Sequence, residues 1–110
     1  MDKETEYLDG VVQAIVHATQ PEKIILFGSR ARGEHGAGSD YDILVIEREP
    51  FGPARSRRKE LSKIRRAIWD APLPIDLLVY SLDEYEEMQS SLNHVLQKAA
   101  REGKSLYERH

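Results

Sequence analysis

The chain has 110 residues, of which 40% are hydrophobic and 32% are charged, and its formal net charge is -3. These proportions are ordinary for a soluble globular protein and exclude an intrinsically disordered chain. The absence of cysteine excludes disulfides, thiolate catalysis and cysteine metal sites, and the slightly negative charge makes direct nucleic-acid binding unexpected. We expect one small domain over residues 1–110, since single cores organise on the order of 100–200 residues.

The sequence shows neither an export signal nor a membrane-spanning segment. Its longest apolar runs, such as residues 24–27 and 43–46, are far shorter than the ~20 residues that span a bilayer. The N-terminus is acidic and polar and lacks the basic start and apolar core of a signal peptide. We therefore expect a cytoplasmic protein that does not contact the membrane.

The first half of the chain alternates helix and strand. Residues 4–19 carry apolar side chains at helical spacing, and Pro21 ends this predicted helix. Residues 23–27 are predicted to form a buried strand that stops at a Gly-Ser turn, and a short helix follows. A glycine-rich loop then leads to a second predicted strand over residues 40–46.

A third predicted helix carries a basic face. Its apolar residues recur at helical spacing from Leu61 to Ile68, and it ends near Asp70. The role of the opposite face is open: it can contact RNA, an acidic partner or a triphosphate, or it can be an ordinary solvated surface. The basic residues of this region are Arg55, Arg57, Arg58, Lys59, Lys63, Arg65 and Arg66.

The last third of the chain adds a strand, a helical region and an edge strand. Residues 75–80 predict a third strand whose only charge is Asp76, which we expect to be a buried carboxylate. A capping-box pattern at Ser81 opens a helical region that runs to residue 101, as one helix or as two. Residues 104–107 are candidates for a short edge strand. Together the elements predict an α/β or α+β fold in which helices cover a small mixed sheet.

The turn after the first strand has the features of a phosphate cradle. Gly28 and Ser29 stand between a strand and a helix, where free backbone N–H groups and a hydroxyl can approach phosphate oxygens. The alternative is an ordinary tight turn. Arg30 and Arg32 follow in the short helix and diverge in direction, so we expect Arg32 to reach the ligand and Arg30 to be structural.

Two carboxylates follow at a spacing that suits a metal ion. Side chains alternate along a strand, so Asp40 and Asp42 face the same way and Tyr41 points away. Their oxygens suit a hard cation such as Mg²⁺, whereas the alternative is a capped turn beside a solvated strand end. If the third strand lies beside this one, Asp76 completes a three-carboxylate site; the alternative is an aspartate hydrogen-bonded to the backbone or to arginine.

This combination resembles the signature of the minimal nucleotidyltransferases of the DNA polymerase β superfamily. The residues that carry the resemblance are Gly-Ser-Arg-Ala-Arg-Gly at 28–33, Ser-Asp-Tyr-Asp at 39–42 and the later strand residue Asp76. The resemblance implies a polymerase β-like nucleotidyltransferase fold. It also implies transfer of a nucleoside monophosphate, AMP from ATP, to a hydroxyl with release of pyrophosphate and a requirement for Mg²⁺.

The resemblance also assigns roles to residues of this chain. It implies that Gly28 and Ser29 hold the triphosphate and that Asp40 and Asp42 carry two Mg²⁺ ions. Asp76 completes the metal ligands and assists the attacking hydroxyl. Each of these residue types is present where the signature requires it.

The resemblance extends to a partner. Stand-alone members of this size resemble the antitoxin half of HEPN/minimal nucleotidyltransferase modules, which adenylylate a tyrosine of the HEPN ribonuclease. The chain has no obvious further domain for recognising a small acceptor, so we expect a HEPN-type toxin as the partner protein. Two alternatives stay open: a non-catalytic module that neutralises a toxin by occlusion, and transfer to a small molecule such as an aminoglycoside.

Overall fold

The computed structural model describes residues 2–34, 36, 38–89 and 101–109. The helices and strands in these ranges are α1 (Lys3–Thr19), β1 (Lys23–Phe27), α2 (Gly28–Arg32), β2 (Tyr41–Glu47), α3 (Arg57–Ala67), β3 (Ile75–Ser81), α4 (Leu82–Gln89) and β4 (Lys104–Glu108). The three strands predicted from apolar runs are confirmed and begin within one residue of the predicted positions. The predicted edge strand is confirmed as β4, whereas residues 90–100 of the predicted helical region lie outside the described residues.

The four strands form one mixed sheet in the order β3-β2-β1-β4. Strand β1 runs antiparallel to both β2 and β4, and β2 runs parallel to β3. The predicted fold class, a small mixed sheet covered by helices, is confirmed. In the β2–β3 register Asp42 lies directly beside Asp76, so the adjacency on which the predicted carboxylate site depends is present.

The sheet has an apolar layer on each face. One face packs under α1 and α3, with Ile15 and Ile64 fully buried against the odd-numbered residues of β2. The other face packs under α4, where Tyr85 meets Leu44 and Ile46. Burying a large aliphatic side chain contributes about 1.5–3 kcal/mol, so β2, which is covered on both sides, anchors the fold. No helix within the described ranges is both long and apolar enough to cross a membrane.

Polar side chains set the ends of the helices. The Asp2 carboxylate accepts a hydrogen bond from the Thr5 N–H at 2.8 Å and caps α1. At the start of α4 the predicted capping box is confirmed, because the Ser81 N–H donates to Glu84 Oε1 at 2.9 Å and the Glu84 N–H donates to Ser81 Oγ at 3.2 Å. The ends of both helices therefore follow from local sequence.

Two members of the basic set are parts of the fold rather than of a solvated face. Arg57 donates to the Val79 carbonyl at 2.8 Å and pairs with Glu84, which ties α3 to β3 and α4. Its guanidinium also lies over the rings of Phe51 and Tyr80. The sequence left four roles open for these side chains: contact with RNA, with an acidic partner or with a triphosphate, or exposure to solvent. Arg55 and Arg57 have none of these roles here, because their partners are residues of the same chain.

Arg55, the other internal member, neutralises a buried carboxylate at the end of β2. It forms ion pairs with Glu47 and Glu49 and approaches Glu60 to 3.8 Å. Glu47 is only 3% exposed, and its Oε2 has no hydrogen-bond partner among the described residues. Burial, and secondly the charge of Glu60, raise the pKa of Glu47 to about 7.

Replacing Glu47 by glutamine should change how stability depends on pH. The folded chain binds this proton more tightly than the unfolded chain, whose glutamate titrates near 4.5, so the unfolding free energy falls as pH rises from about 4.5 to about 7. We expect Glu47→Gln to flatten this decline and to raise stability at pH 8 by about 2 kcal/mol, measured by urea denaturation. Glu49→Gln, at a carboxylate 78% exposed, is the matched control. An unchanged slope in Glu47→Gln contradicts the assignment.

Candidate active site

The turn that follows β1 lies directly over a carboxylate of β2. Phe27 pairs with Asp42 in the antiparallel register, and Gly28 comes next with φ of 72°. A Cβ built on Gly28 would lie 3.1 Å from Cγ of Asp42 and still closer to its Oδ2. Both the positive φ and the close approach therefore require glycine at this position. The predicted phosphate cradle at Gly28 is therefore in contact with the Asp42 carboxylate of β2.

The first turn of α2 leaves polar groups available to an anion. The helix begins after Phe27, which provides no side-chain cap for its N–H groups. Within the described parts of the chain, the Ser29 hydroxyl makes no hydrogen bond, while the Ser29 carbonyl accepts one from the Glu34 N–H at 3.0 Å. Backbone N–H groups at such a turn, together with a hydroxyl, can bind phosphate oxygens.

The three predicted carboxylates lie at the same end of the sheet. Asp40 is exposed and immediately precedes β2, Asp42 is half-buried, and Asp76 lies beside Asp42 on β3. Tyr41 is buried in the layer under α1 and α3, while Leu44, two residues after Asp42, belongs to the opposite layer, so Tyr41 and Asp42 face opposite sides of the sheet. Asp40 lies before the strand, and its sharing a face with Asp42 stays a prediction.

The prediction that Asp76 is a buried carboxylate is wrong. Its side chain is exposed, although it stands in an apolar strand sequence. The reason is its place in the sheet: β3 is an edge strand, and Asp76 is its second residue, before the buried residues of that strand begin at Leu77. An exposed carboxylate is hydrated by solvent and needs no internal hydrogen-bond partner.

The electrostatics show that these side chains act on one another. Burial raises the pKa of Asp42, and the charges of Asp76 and then Asp40 raise it further. The guanidinium of Arg32 opposes this rise. Three negative charges at one end of the sheet repel each other, and a cation bound among them would relieve that repulsion.

The donor set fits a cation that brings further ligands of its own. Considering only the residues whose positions are described, no three aspartate, glutamate or histidine side chains converge into a ready metal cluster. Mg²⁺ in nucleotide sites uses one or two carboxylates and takes its other ligands from phosphates and water. Asp40 and Asp42 meet that requirement without closing around the ion, and the three-carboxylate site including Asp76 stays a prediction.

The two arginines of α2 have different surroundings. Arg32 is exposed and pairs with Glu34 at 3.0 Å and with Glu102 at 3.7 Å. Arg30 is buried and donates to atoms of the protein, as expected of a structural residue. One of its partners, Glu4 on α1, was not singled out in the sequence, because no local spacing connects two residues 26 positions apart.

Comparison with known proteins places the chain in a family. A family model described as a nucleotidyltransferase domain matches residues 8–105. The chain belongs to the nucleotidyltransferase family. No curated protein matches it.

Solved structures share the fold of this nucleotidyltransferase at low sequence identity. A protein assigned as a nucleotidyltransferase from Sulfolobus solfataricus aligns with a TM-score of 0.67 and 19% identity, over 94% of this chain and 79% of that chain. A toxin-antitoxin structure with AMP-PNP aligns with a TM-score of 0.54 and 21% identity, over 93% and 74%. A toxin-antitoxin MntA-HpeT mutant with two aspartate-to-glutamate changes gives 0.54 and 19%, over 93% and 74%.

Substitution of Gly28 by alanine should be far more damaging than the same change at Gly33. Both residues have positive φ, but only at Gly28 would the added Cβ meet Asp42, since no atom of the described residues lies within 4 Å of a Cβ built on Gly33. We expect Gly33→Ala to cost about 1 kcal/mol of unfolding free energy and Gly28→Ala about 3 kcal/mol, measured by denaturant unfolding.

A second-site variant separates the contact from the backbone strain. Adding Asp42→Ala to Gly28→Ala removes the carboxylate that the new Cβ meets, so the difference from Gly33→Ala should largely disappear. Equal losses for the two single glycine variants would contradict the contact between the turn and Asp42.

Proposed function

We propose that this nucleotidyltransferase transfers AMP from ATP to a hydroxyl group, with Mg²⁺ as cofactor. The observation that supports the proposal is the contact between the Gly28 turn and the Asp42 carboxylate, because backbone N–H groups of the kind that bind phosphate then lie beside carboxylate oxygens of the kind that bind Mg²⁺. Family membership supports the reaction class. We further propose that residues 1–110 act as a single domain.

The chain's own groups bind the triphosphate in this proposal. Backbone N–H groups of the first turn of α2 and the hydroxyl of Ser29 receive the phosphate oxygens. Arg32 exchanges Glu34 and Glu102 for a phosphate, which costs little because exposed ion pairs contribute about 0–1 kcal/mol. A phosphate is a better bidentate partner for a guanidinium than two separate carboxylates.

Asp40, Asp42 and Asp76 hold the cofactor in this proposal. Two Mg²⁺ ions bound there would offset the triphosphate charge and polarise the attacking hydroxyl. Because the pKa of Asp42 is raised, protons compete with the cation at a higher pH than they would at an ordinary aspartate, so binding should weaken as the pH falls.

In the proposed transfer step, pyrophosphate is the leaving group and Asp76 accepts the proton. The acceptor oxygen attacks the α-phosphorus of ATP, a new P–O bond forms, and the bond from the α-phosphorus to the bridging oxygen breaks to release pyrophosphate. The acceptor proton passes to the carboxylate of Asp76. Because this carboxylate is exposed, it can return the proton to water.

The acceptor in this proposal is a tyrosine of a HEPN-type toxin, so that the chain acts as an antitoxin in the cytoplasm. Support comes from the toxin-antitoxin structures of similar fold, one solved with AMP-PNP and another carrying two aspartate-to-glutamate changes. Modification of a hydroxyl on the toxin would then neutralise it catalytically rather than by occlusion.

Label transfer tests the proposed reaction. With α-labelled ATP, Mg²⁺ and a co-expressed HEPN-type toxin, we expect label on a toxin tyrosine, and we expect Asp40→Asn with Asp42→Asn to lower the rate about 100-fold or more. Asp70→Asn makes the same chemical change at an exposed aspartate after α3 and should leave the rate unchanged. If the double variant still neutralises the toxin at full strength, occlusion replaces catalysis as the explanation.

A further inference from the structure

Arg30 is a buried cation that donates hydrogen bonds to three other residues of the chain. It is 8% exposed, although it follows Ser29 directly in a helix at the candidate site. Its Nε and Nη2 donate to the Ser39 carbonyl at 3.1 and 3.0 Å, and its Nη1 donates to the Tyr41 hydroxyl at 3.0 Å and to Glu4 at 3.2 Å. A guanidinium engaged in this way has little capacity left for a ligand.

These contacts lie on both sides of Asp40. Ser39 precedes it and is held through two N–H groups, and Tyr41 follows it with its ring 4.0 Å from the guanidinium carbon. The Tyr41 N–H also donates to the Pro74 carbonyl at 2.8 Å, which ties the same point to the segment before β3. Arg30 therefore holds the backbone of Ser39 and the side chain of Tyr41, the two residues that flank Asp40.

A second set of bonds holds the guanidinium itself in place. The Tyr41 hydroxyl donates to Glu4 Oε2 at 2.9 Å, and Arg30 bonds both of these groups, which closes a triangle of three side chains. Glu4 stands in the first turn of α1, so the triangle joins that helix to α2 and β2. Cooperative bonds of this kind orient a planar donor group more strictly than a single ion pair does.

We propose that Arg30 is a positioning residue that couples the phosphate cradle, Gly28 and Ser29, to the carboxylates at the start of β2. It shares α2 with Gly28 and Ser29 and fixes the chain on either side of Asp40, so it sets the separation between the two halves of the site. This inference rests on the proposed function, in which ATP and Mg²⁺ bind together. Lysine cannot replace Arg30, because an ammonium provides a point charge without the planar fork that spans Ser39 and Tyr41.

The coupling between Mg²⁺ and ATP is the quantity to measure. Calorimetry on the full chain gives the ATP dissociation constant with and without Mg²⁺, and the ratio of the two reports the coupling. We expect Mg²⁺ to tighten ATP binding in the wild type, and we expect Arg30→Met and Arg30→Lys to reduce the ratio about tenfold. Arg48→Met, at an exposed arginine 71% accessible, is the control and should keep the wild-type ratio.

A second readout is independent of any ligand. The Tyr41 amide is hydrogen-bonded to Pro74, so its exchange with deuterium, followed by NMR, reports whether the start of β2 is held. In Arg30→Met we expect faster exchange at this amide, while amides in the middle of β2 keep their protection. Circular dichroism and thermal unfolding show that the variant is folded.

The outcomes separate this inference from the proposed function. A lost coupling with faster Tyr41 exchange supports positioning by Arg30. An unchanged coupling ratio in a less stable Arg30→Met chain overturns it and leaves Arg30 with a purely structural role. If the wild type shows no Mg²⁺-dependent ATP binding, the proposed function fails, and unchanged Tyr41 exchange in the variant would then overturn the positioning role as well.

Discussion

The site depends on one constraint: the Asp42 carboxylate sits under a turn that only glycine can form. The antiparallel pairing of β1 with β2 brings the end of β1 to Asp42, and the positive φ of Gly28 lets the backbone pass over the carboxylate. The parallel pairing of β2 with β3 places Asp76 at its side. Because β2 is buried on both faces, the sheet core that stabilises the fold also holds these groups in register.

Each end of β2 carries a carboxylate whose raised pKa is opposed by an arginine, and the two ends differ in how far that carboxylate is exposed to solvent. At the end of the strand, Arg55 supplies the cation that Glu47 requires, and the carboxylate is sealed from solvent. At its start, Asp42 is half-buried with two further carboxylates nearby, and Arg32 is the cation that opposes the rise in its pKa. A site that is electrostatically unfavourable by itself is what a cation-dependent nucleotide site requires, since the bound cation then restores the balance. The aspartates that repel one another are thus the same side chains that would bind the cation.

Local patterns explain what could be predicted from the sequence. The strands and the capping box follow from short-range periodicity and spacing, so they were predicted to within a residue or so. The burial of Asp76 was predicted wrongly, because an apolar run does not reveal whether its strand lies at the centre or at the edge of a sheet. The triangle of Glu4, Arg30 and Tyr41 was out of reach, since its members are brought together only by packing of α1 against the sheet.

A structure of the full chain with Mg²⁺ and a non-hydrolysable ATP analogue tests the central claim most directly. That claim is that the Gly28 turn and the carboxylates beside it form one nucleotide and metal site. We predict the triphosphate on the N–H groups of α2, with the metal between its oxygens and those of Asp40 and Asp42. A nucleotide bound elsewhere, or one bound at this turn with no metal at either aspartate, would contradict it.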